Sequence, residues 1–188
     1  MRVIAGTARS LRLKTPEGSD TRPTTDRIKE TLFNMIHQNL PGTTFLDLFA
    51  GSGGIGIEAL SRGAHAVVFV DSGKDAVRCI QDNITHTKFE HQSKVYHKDS
   101  NTALYQMSGK EKFDFVFMDP PYHTDLEKEA LTALIRYDLL ADDAIVIVES
   151  ALDTDISFAE ELGYICMKEK CYKTNKHTFL QKRKEQNV

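Results

Sequence analysis

Long apolar runs are missing from this 188-residue chain. None reaches ten residues, whereas a membrane helix needs roughly 20, so a bilayer-spanning protein is excluded. Cysteine is scarce too: Cys79, Cys166 and Cys171 are an odd number with no CxxC pair, which argues against a disulfide framework. The seven histidines contain no HxxxH or HExxH spacing, so no metal is expected. Glycine (11) and proline (five) are too few for a collagen-like or low-complexity chain. The first residues, from Met1 to Lys14, are basic and lack a signal-like apolar stretch, from which a cytoplasmic location is expected.

What remains, 40% apolar and 27% charged residues, is enough for one substantial core. A single domain over 1–188 is expected, with a basic N-terminal hairpin over 1–22 and a core over 23–188. Net charge is −3, but residues 1–30 carry +3, residues 168–188 carry +5 and the middle carries −11. Basic ends brought together would suit a polyanion; two solvated termini would look the same in sequence.

From Thr43 onward, short β-rich runs alternate with amphipathic stretches, the pattern of a parallel sheet covered by helices. Five strands are expected at 43–48, 66–71, 94–97, 113–118 and 144–148. Helices are indicated by Ile55, Ala59 and Leu60, by Ala76, Cys79, Ile80 and Ile84, and by Leu126, Ala130, Leu131, Leu134 and Ile135. A short helix near Phe158 to Leu162 should end at Gly163, before an antiparallel terminal pair at 164–172 and 177–182. Upstream, Ile28, Leu32, Met35 and Ile36 share one face of a helix expected over 24–36, with Thr capping options at its start and Asp26 in its first turn.

The first strand runs into AspLeuPheAlaGlySerGlyGlyIleGly, where Gly51, Gly53 and Gly56 make GxGxxG between a strand and a helix. Glycines there permit a tight turn and close approach of a ligand to helix N-terminal amides. NAD or FAD would also suit the spacing, and so would a turn that binds nothing. Asp47 favours a nucleoside joined to an amino acid, since a carboxylate repels a pyrophosphate and pairs with an ammonium. Phe49 and Ser52 belong to the same loop. Asp71, 20 residues after Gly51, has the spacing of a ribose acceptor. Asp99 is placed either to accept from an adenine amino group or to cap the next helix.

AspProProTyr at 119–122 follows the fourth strand directly. Pro120 and Pro121 fix φ and remove amide donors, leaving a rigid turn. Such a turn presents the Asp119 carboxylate and the Pro120 carbonyl to one NH₂ group, with the Tyr122 ring placed to stack on the base that bears it. Two fixed acceptors favour the nucleophilic geometry of an exocyclic amine. A simple loop breaker would also read this way. His123 could contact substrate or stand idle.

Asp47 to Gly56, Asp71 and AspProProTyr resemble the seven-stranded, class I (Rossmann-like) S-adenosylmethionine-dependent methyltransferases of exocyclic amines. The segments at 2–13, 21–34 and 46–64 extend the resemblance to the bacterial 16S rRNA guanine-N2 methyltransferases, the RsmD family. Gly54 and Ile55 stand where Ala and Leu are expected. The resemblance implies an α/β doubly wound sheet with an antiparallel terminal strand, S-adenosylmethionine as cofactor, and methylation of one guanine of 16S rRNA, guanine 966, in the small ribosomal subunit or its assembly intermediate. It implies a monomer, with Asp119, Pro120, Pro121 and Tyr122 at the acceptor amine. Asp47, Phe49, Gly51, Ser52, Gly53, Gly56, Asp71 and Asp99 would hold the cofactor, together with Arg22 and Thr24. Arg22 meets either the methionine carboxylate or the RNA, and an N-cap role for Thr24 or Thr25 fits equally. Arg2, Arg9, Arg12 and Lys14, with Lys182 to Lys184, are candidates for phosphate contacts. The alternatives are a DNA adenine-N6 methyltransferase, for whose recognition insertion the chain has no space, and a catalytically silent assembly factor.

Overall fold

The computed structural model describes residues 1–16 and 26–184. They divide into two compact units, Met1–Asp99 and Ser100–Val188.

The first unit opens with a hairpin. Arg2 and Arg12 form an antiparallel bridge, Val3 N donates to Leu11 O (2.9 Å), and Leu13 N donates to Met1 O (3.1 Å). Val3, Ala8 and Leu13 turn inward while Arg9 and Arg12 stay exposed. The turn expected after Pro16, and Arg22, Thr24 and Thr25, lie outside the described residues. Then follow α1 (Asp26–Ile36), β1 (Thr44–Leu48), α2 (Gly54–Ser61), β2 (Ala66–Asp71), α3 (Lys74–Thr87) and β3 (Ser93–His97). The strands are parallel in the order β3-β2-β1, with Thr44 opposite Ala66 and Val67 opposite Ser93. Nearly every residue of β1 and β2 is buried, as both faces of a covered parallel sheet require.

The inward face of α1 differs from the expected one. Leu32 and Ile36 are buried as read, but Lys29 and Phe33 join them, and Ile28 and Met35 are only half-buried. Phe33 stacks on Phe45 of β1, centroids 6.5 Å apart, and this rotates the helix. Burying a Phe or Leu side chain stabilises by roughly 1.5–3 kcal/mol. Lys29 follows inward because it finds an acid there: its Nζ is 3.2 Å from Glu58 Oε2 and donates to Arg2 O at 2.6 Å.

The second unit holds α4 (Ser100–Met107), β4 (Phe113–Met118), α5 (Leu126–Arg136), β5 (Leu140–Ala151), α6 (Phe158–Glu161), β6 (Tyr164–Cys171) and β7 (Asn175–Lys182). Here the order is β4-β5-β7-β6, with β4 and β5 parallel and β7 antiparallel to both its neighbours. Helix α4 was not expected. It has two turns and buries only Ser100, Ala103, Leu104 and Met107, too little periodicity to read. Strand β5 is longer than 144–148: it starts at Leu140, opposite Phe113, and runs on to Ala151, opposite Asn175. Gly163, at φ +90°, follows α6 and turns the chain into β6.

Candidate active site

In the first unit, the loop from β1 to α2 is held by two carboxylates. Gly53 sits at φ +74°, a left-handed conformation that glycine adopts without strain. Gly56 has no space for a side chain, since a Cβ there would lie 2.3 Å from the Phe69 ring of β2. Asp71, at the end of β2, accepts from Gly51 N through Oδ2 and from Gly73 N through Oδ1, both at 2.8 Å. Its carbonyl accepts from Lys98 N at 3.1 Å, so it ties together the exits of all three strands.

Asp47 of β1 is 1% exposed, and its Oδ2 accepts from Gly56 N at 2.8 Å. Burial pushes its carboxyl up to about 8; the Gly56 amide opposes this and the charge of Asp71 adds to it. Phe49 adopts φ +64° within the loop, and Ser52 is buried. Ser52 O accepts from Asn83 Nδ2 at 2.9 Å. The same Asn83 accepts from Lys14 N (2.8 Å) and donates to Lys14 O (3.0 Å), pinning the hairpin exit and the loop to α3. Sequence reasoning missed Asn83, since nothing local marks a helical Asn as a tether. Asp99 is exposed and immediately precedes α4.

In the second unit, AspProProTyr leaves the end of β4. Pro120 is buried, Pro121 and Tyr122 are exposed, and Thr124 Oγ1 donates to Pro121 O at 2.7 Å to close the turn. His123 follows at φ +61°. Burial first, then the negative charges of Glu149 and Asp119, hold the Tyr122 phenol well above the usual tyrosine range. Glu149, Asn175 and His177 are all buried, and none was singled out in the sequence. The available signal was Glu149 itself, a charge closing the run AlaIleValIleVal.

The basic candidates divide. Arg2 pairs with Asp26 (3.0 Å), Lys14 with Asp82 (2.8 Å) and Lys184 with Asp143 (2.7 Å), all at exposed sites. Arg9 and Arg12 are exposed and form no ion pair among the described residues. Among those residues, no helix is long and apolar enough to cross a membrane.

Residues 1–181 match a family model described as "Conserved hypothetical protein 95". The chain belongs to this family. It is 39% identical over 171 residues to "Putative rRNA methyltransferase YlbH" of Bacillus subtilis, covering 90% of this chain and 92% of that protein. It is 36% identical over 171 residues to "Ribosomal RNA small subunit methyltransferase D" of Haemophilus influenzae, covering 90% and 88%. The solved structure of "Putative methyltransferase yhhF from Escherichia coli" overlays with a TM-score of 0.85 at 29% identity, covering 98% of this chain and 99% of that one. The fold is the seven-stranded class I methyltransferase fold with an antiparallel terminal strand, and the expected family is confirmed.

Proposed function

We propose that this rRNA methyltransferase moves a methyl group from S-adenosylmethionine to the exocyclic N2 amine of guanine 966 in small-subunit rRNA, acting in the cytoplasm as a monomeric, single-domain enzyme. The observation that carries this reading is the AspProProTyr turn directly after β4, a rigid pair of acceptors beside an exposed aromatic ring. The small-subunit name of the Haemophilus relative supports the choice of RNA.

The residues of the first unit suit the cofactor. Asp47 is a buried acid whose partner is a neutral amide, and a ligand ammonium would supply the missing cation. Each oxygen of Asp71 holds one loop amide and keeps a lone pair for a ribose hydroxyl. A side chain at Gly51 would meet nothing within 4 Å, so space is open over the loop. Phe49, Ser52, Gly53 and Gly56 complete that loop, Asp99 is assigned to the adenine amine, and Arg22 and Thr24 to the cofactor's margin. When bound, the cofactor supplies an electrophilic methyl on its sulfonium.

Asp119 and Pro120 accept hydrogen bonds from the amine and set its lone pair toward the methyl. Positive charge develops on nitrogen as the N–C bond forms, and the Asp119 carboxylate stabilises it and receives the departing proton. Tyr122 stacks on the guanine, and Pro121 keeps the turn rigid. Arg9 and Arg12, which are exposed and form no ion pair among the described residues, are assigned to RNA phosphates, with Lys182 to Lys184 as a second group.

The test is to incubate the protein and labelled S-adenosylmethionine with unmodified small subunits, naked rRNA and DNA, then map the product. Label at a guanine N2 of the small-subunit RNA is expected. Label in DNA adenine, or none on any substrate, overturns the reading.

A further inference from the structure

Ser52 is flanked by two glycines in the loop from β1 to α2. Gly51 (φ +57°) and Gly53 (φ +74°) both take the left-handed conformation, and the freedom that permits it would also let an unsupported loop move. The amides around Ser52 are secured by the loop itself and by β2: Ala50 N donates to Val70 O (3.0 Å), Gly51 N to Asp71 Oδ2 (2.8 Å) and Gly53 N to Ala50 O (2.7 Å). Ser52 is secured from elsewhere, by α3 and the N-terminal hairpin.

Asn83 makes the first connection. It is 1% exposed, and its oxygen and both amide hydrogens are engaged: Oδ1 accepts from Lys14 N (2.8 Å), while Nδ2 donates to Lys14 O (3.0 Å) and to Ser52 O (2.9 Å). That pattern fixes the orientation of the amide, since two carbonyls need the nitrogen and one N–H needs the oxygen. The hairpin reaches the same residue by a second route. Ser52 Oγ donates to Met1 Sδ (3.8 Å), and Met1 O accepts from Leu13 N (3.1 Å). The sulfur lies against the start of α2, where a Cβ on Gly54 would come within 2.2 Å of it. Neither helix propensity nor packing calls for an Asn inside α3, and a buried amide is costly unless its hydrogen bonds are made.

We infer that Asn83 is a positioning residue for cofactor binding: by joining Ser52 O to both backbone groups of Lys14, it makes the N-terminal hairpin a support of the glycine loop and orders that loop before S-adenosylmethionine arrives. Ordering the loop on binding would otherwise be subtracted from affinity. Asn83 acts on the loop and touches no reacting atom, so its effect belongs in the KM for the cofactor and not in kcat. An Asp at 83 keeps the size and the acceptor for Lys14 N, but it has no hydrogen for either carbonyl and sets a carboxylate against them. The inference rests on the proposed cofactor.

Three variants test it: Asn83→Asp, Asn83→Ala and Ile84→Val, the last a buried apolar neighbour on α3 that controls for lost stability. Each is measured for Tm, for S-adenosylmethionine affinity by calorimetry well below Tm, for kcat and cofactor KM on small subunits, and for deuterium uptake by the segment 49–54. Both Asn83 variants should raise the cofactor Kd and KM about tenfold, the scale of one buried hydrogen bond lost, with kcat at saturating cofactor near wild type. They should also speed uptake at 49–54 in the ligand-free protein, whereas Ile84→Val should lower Tm alone. A wild-type Kd in both Asn83 variants, or an equal rise in Ile84→Val, overturns the inference and leaves Asn83 a scaffold residue. If neither Asn83 variant folds, the wild-type protein decides: saturating S-adenosylmethionine should slow uptake in the hairpin segment 1–14 as well as at 49–54, and protection confined to 49–54 overturns the inference. If the wild-type protein binds no S-adenosylmethionine, the proposed function fails, while wild-type uptake at 49–54 in ligand-free Asn83→Asp separately shows that Asn83 does not order the loop.

Discussion

Glu58 of α2 and Glu149 of β5 are both buried carboxylates, and the two units solve that problem differently. Glu58 is fully enclosed and charge-matched: Lys29 lies 3.2 Å away and Arg62 Nε 2.8 Å away, while the amides of Ile4 and Ala5 donate at 2.8 and 3.0 Å. Burial pulls the Lys29 ammonium below the usual lysine range, against the opposing pull of Glu58. This node joins the hairpin, α1 and α2, and its purpose is to hold chain segments together. Glu149 has Asn175 and His177 instead, and no lysine or arginine partner among the described residues. Its charge is among the causes that hold the Tyr122 phenol above the usual tyrosine range. A neutralised carboxylate serves the scaffold, whereas an uncancelled one imposes a field, and a field is useful where positive charge develops on an amine.

The largest effect that could break this contrast is on stability. Glu58→Ala strands Lys29 and two amides, and should cost about 3–5 kcal/mol, the usual penalty for breaking a buried pair. Urea unfolding with an unchanged m-value would register it. A loss under about 1 kcal/mol, or an equal loss for Glu149→Gln, would erase the distinction between the two nodes.

Chemistry should separate the units next. Asp119→Ala is expected to lower the methyl-transfer rate on the order of 100-fold or more while cofactor affinity stays near wild type. Single-turnover kinetics beside calorimetry tests both halves, and unchanged turnover would make AspProProTyr only a loop breaker.

Asp47 sharpens the comparison from within the first unit, because it is a buried acid with no cationic partner among the described residues. Its carboxyl is raised to about 8, so the folded state holds a proton that the unfolded chain has already released above its ordinary value near 4. Stability should therefore fall as pH rises from about 5 to 8, lowering the Tm of the ligand-free protein by roughly 5 °C. Asp47→Asn should flatten that slope, and saturating S-adenosylmethionine should oppose it. A pH-independent Tm would mean that Asp47 is charged and already compensated.

The smallest effect concerns the exposed arginines of the hairpin. Replacing Arg9 and Arg12 by Ala should raise KM for the ribosomal substrate and flatten the salt dependence of binding by roughly one unit per lost phosphate contact. Cofactor binding should survive. An unchanged slope would move the RNA surface to the C-terminal lysines, from Lys168 to Lys184.

How much was legible depended on how local the signal was. The strands at 66–71 and 113–118 were read with their observed bounds, because unbroken β-branched and aromatic runs mark fully covered strands. The terminal antiparallel pair was read as well, framed by Gly163, but β7 begins at Asn175, two residues before the expected 177, and its first six residues are all buried. The glycine loop, Asp71 and AspProProTyr could be found from spacing alone, because each lies directly after a strand. Helix α4 escaped because two turns carry little periodicity, and the bounds of β5 escaped because Asp142 and Asp143 disguise its start.

The sequence by itself determined the order of the strands and of the helices other than α4, the family, and the residues at the strand ends, since these follow from local periodicity and from backbone restrictions of Gly and Pro. Only the tertiary structure decided which polar groups were buried together. Lys14 meets Asn83 across 69 residues, Ile4 meets Glu58 across 54, and His177 meets Glu149 across 28. No local pattern encodes such pairs: whether a charge is buried, and whether its partner cancels it, depends on strand register and helix rotation, which exist only once the chain has packed.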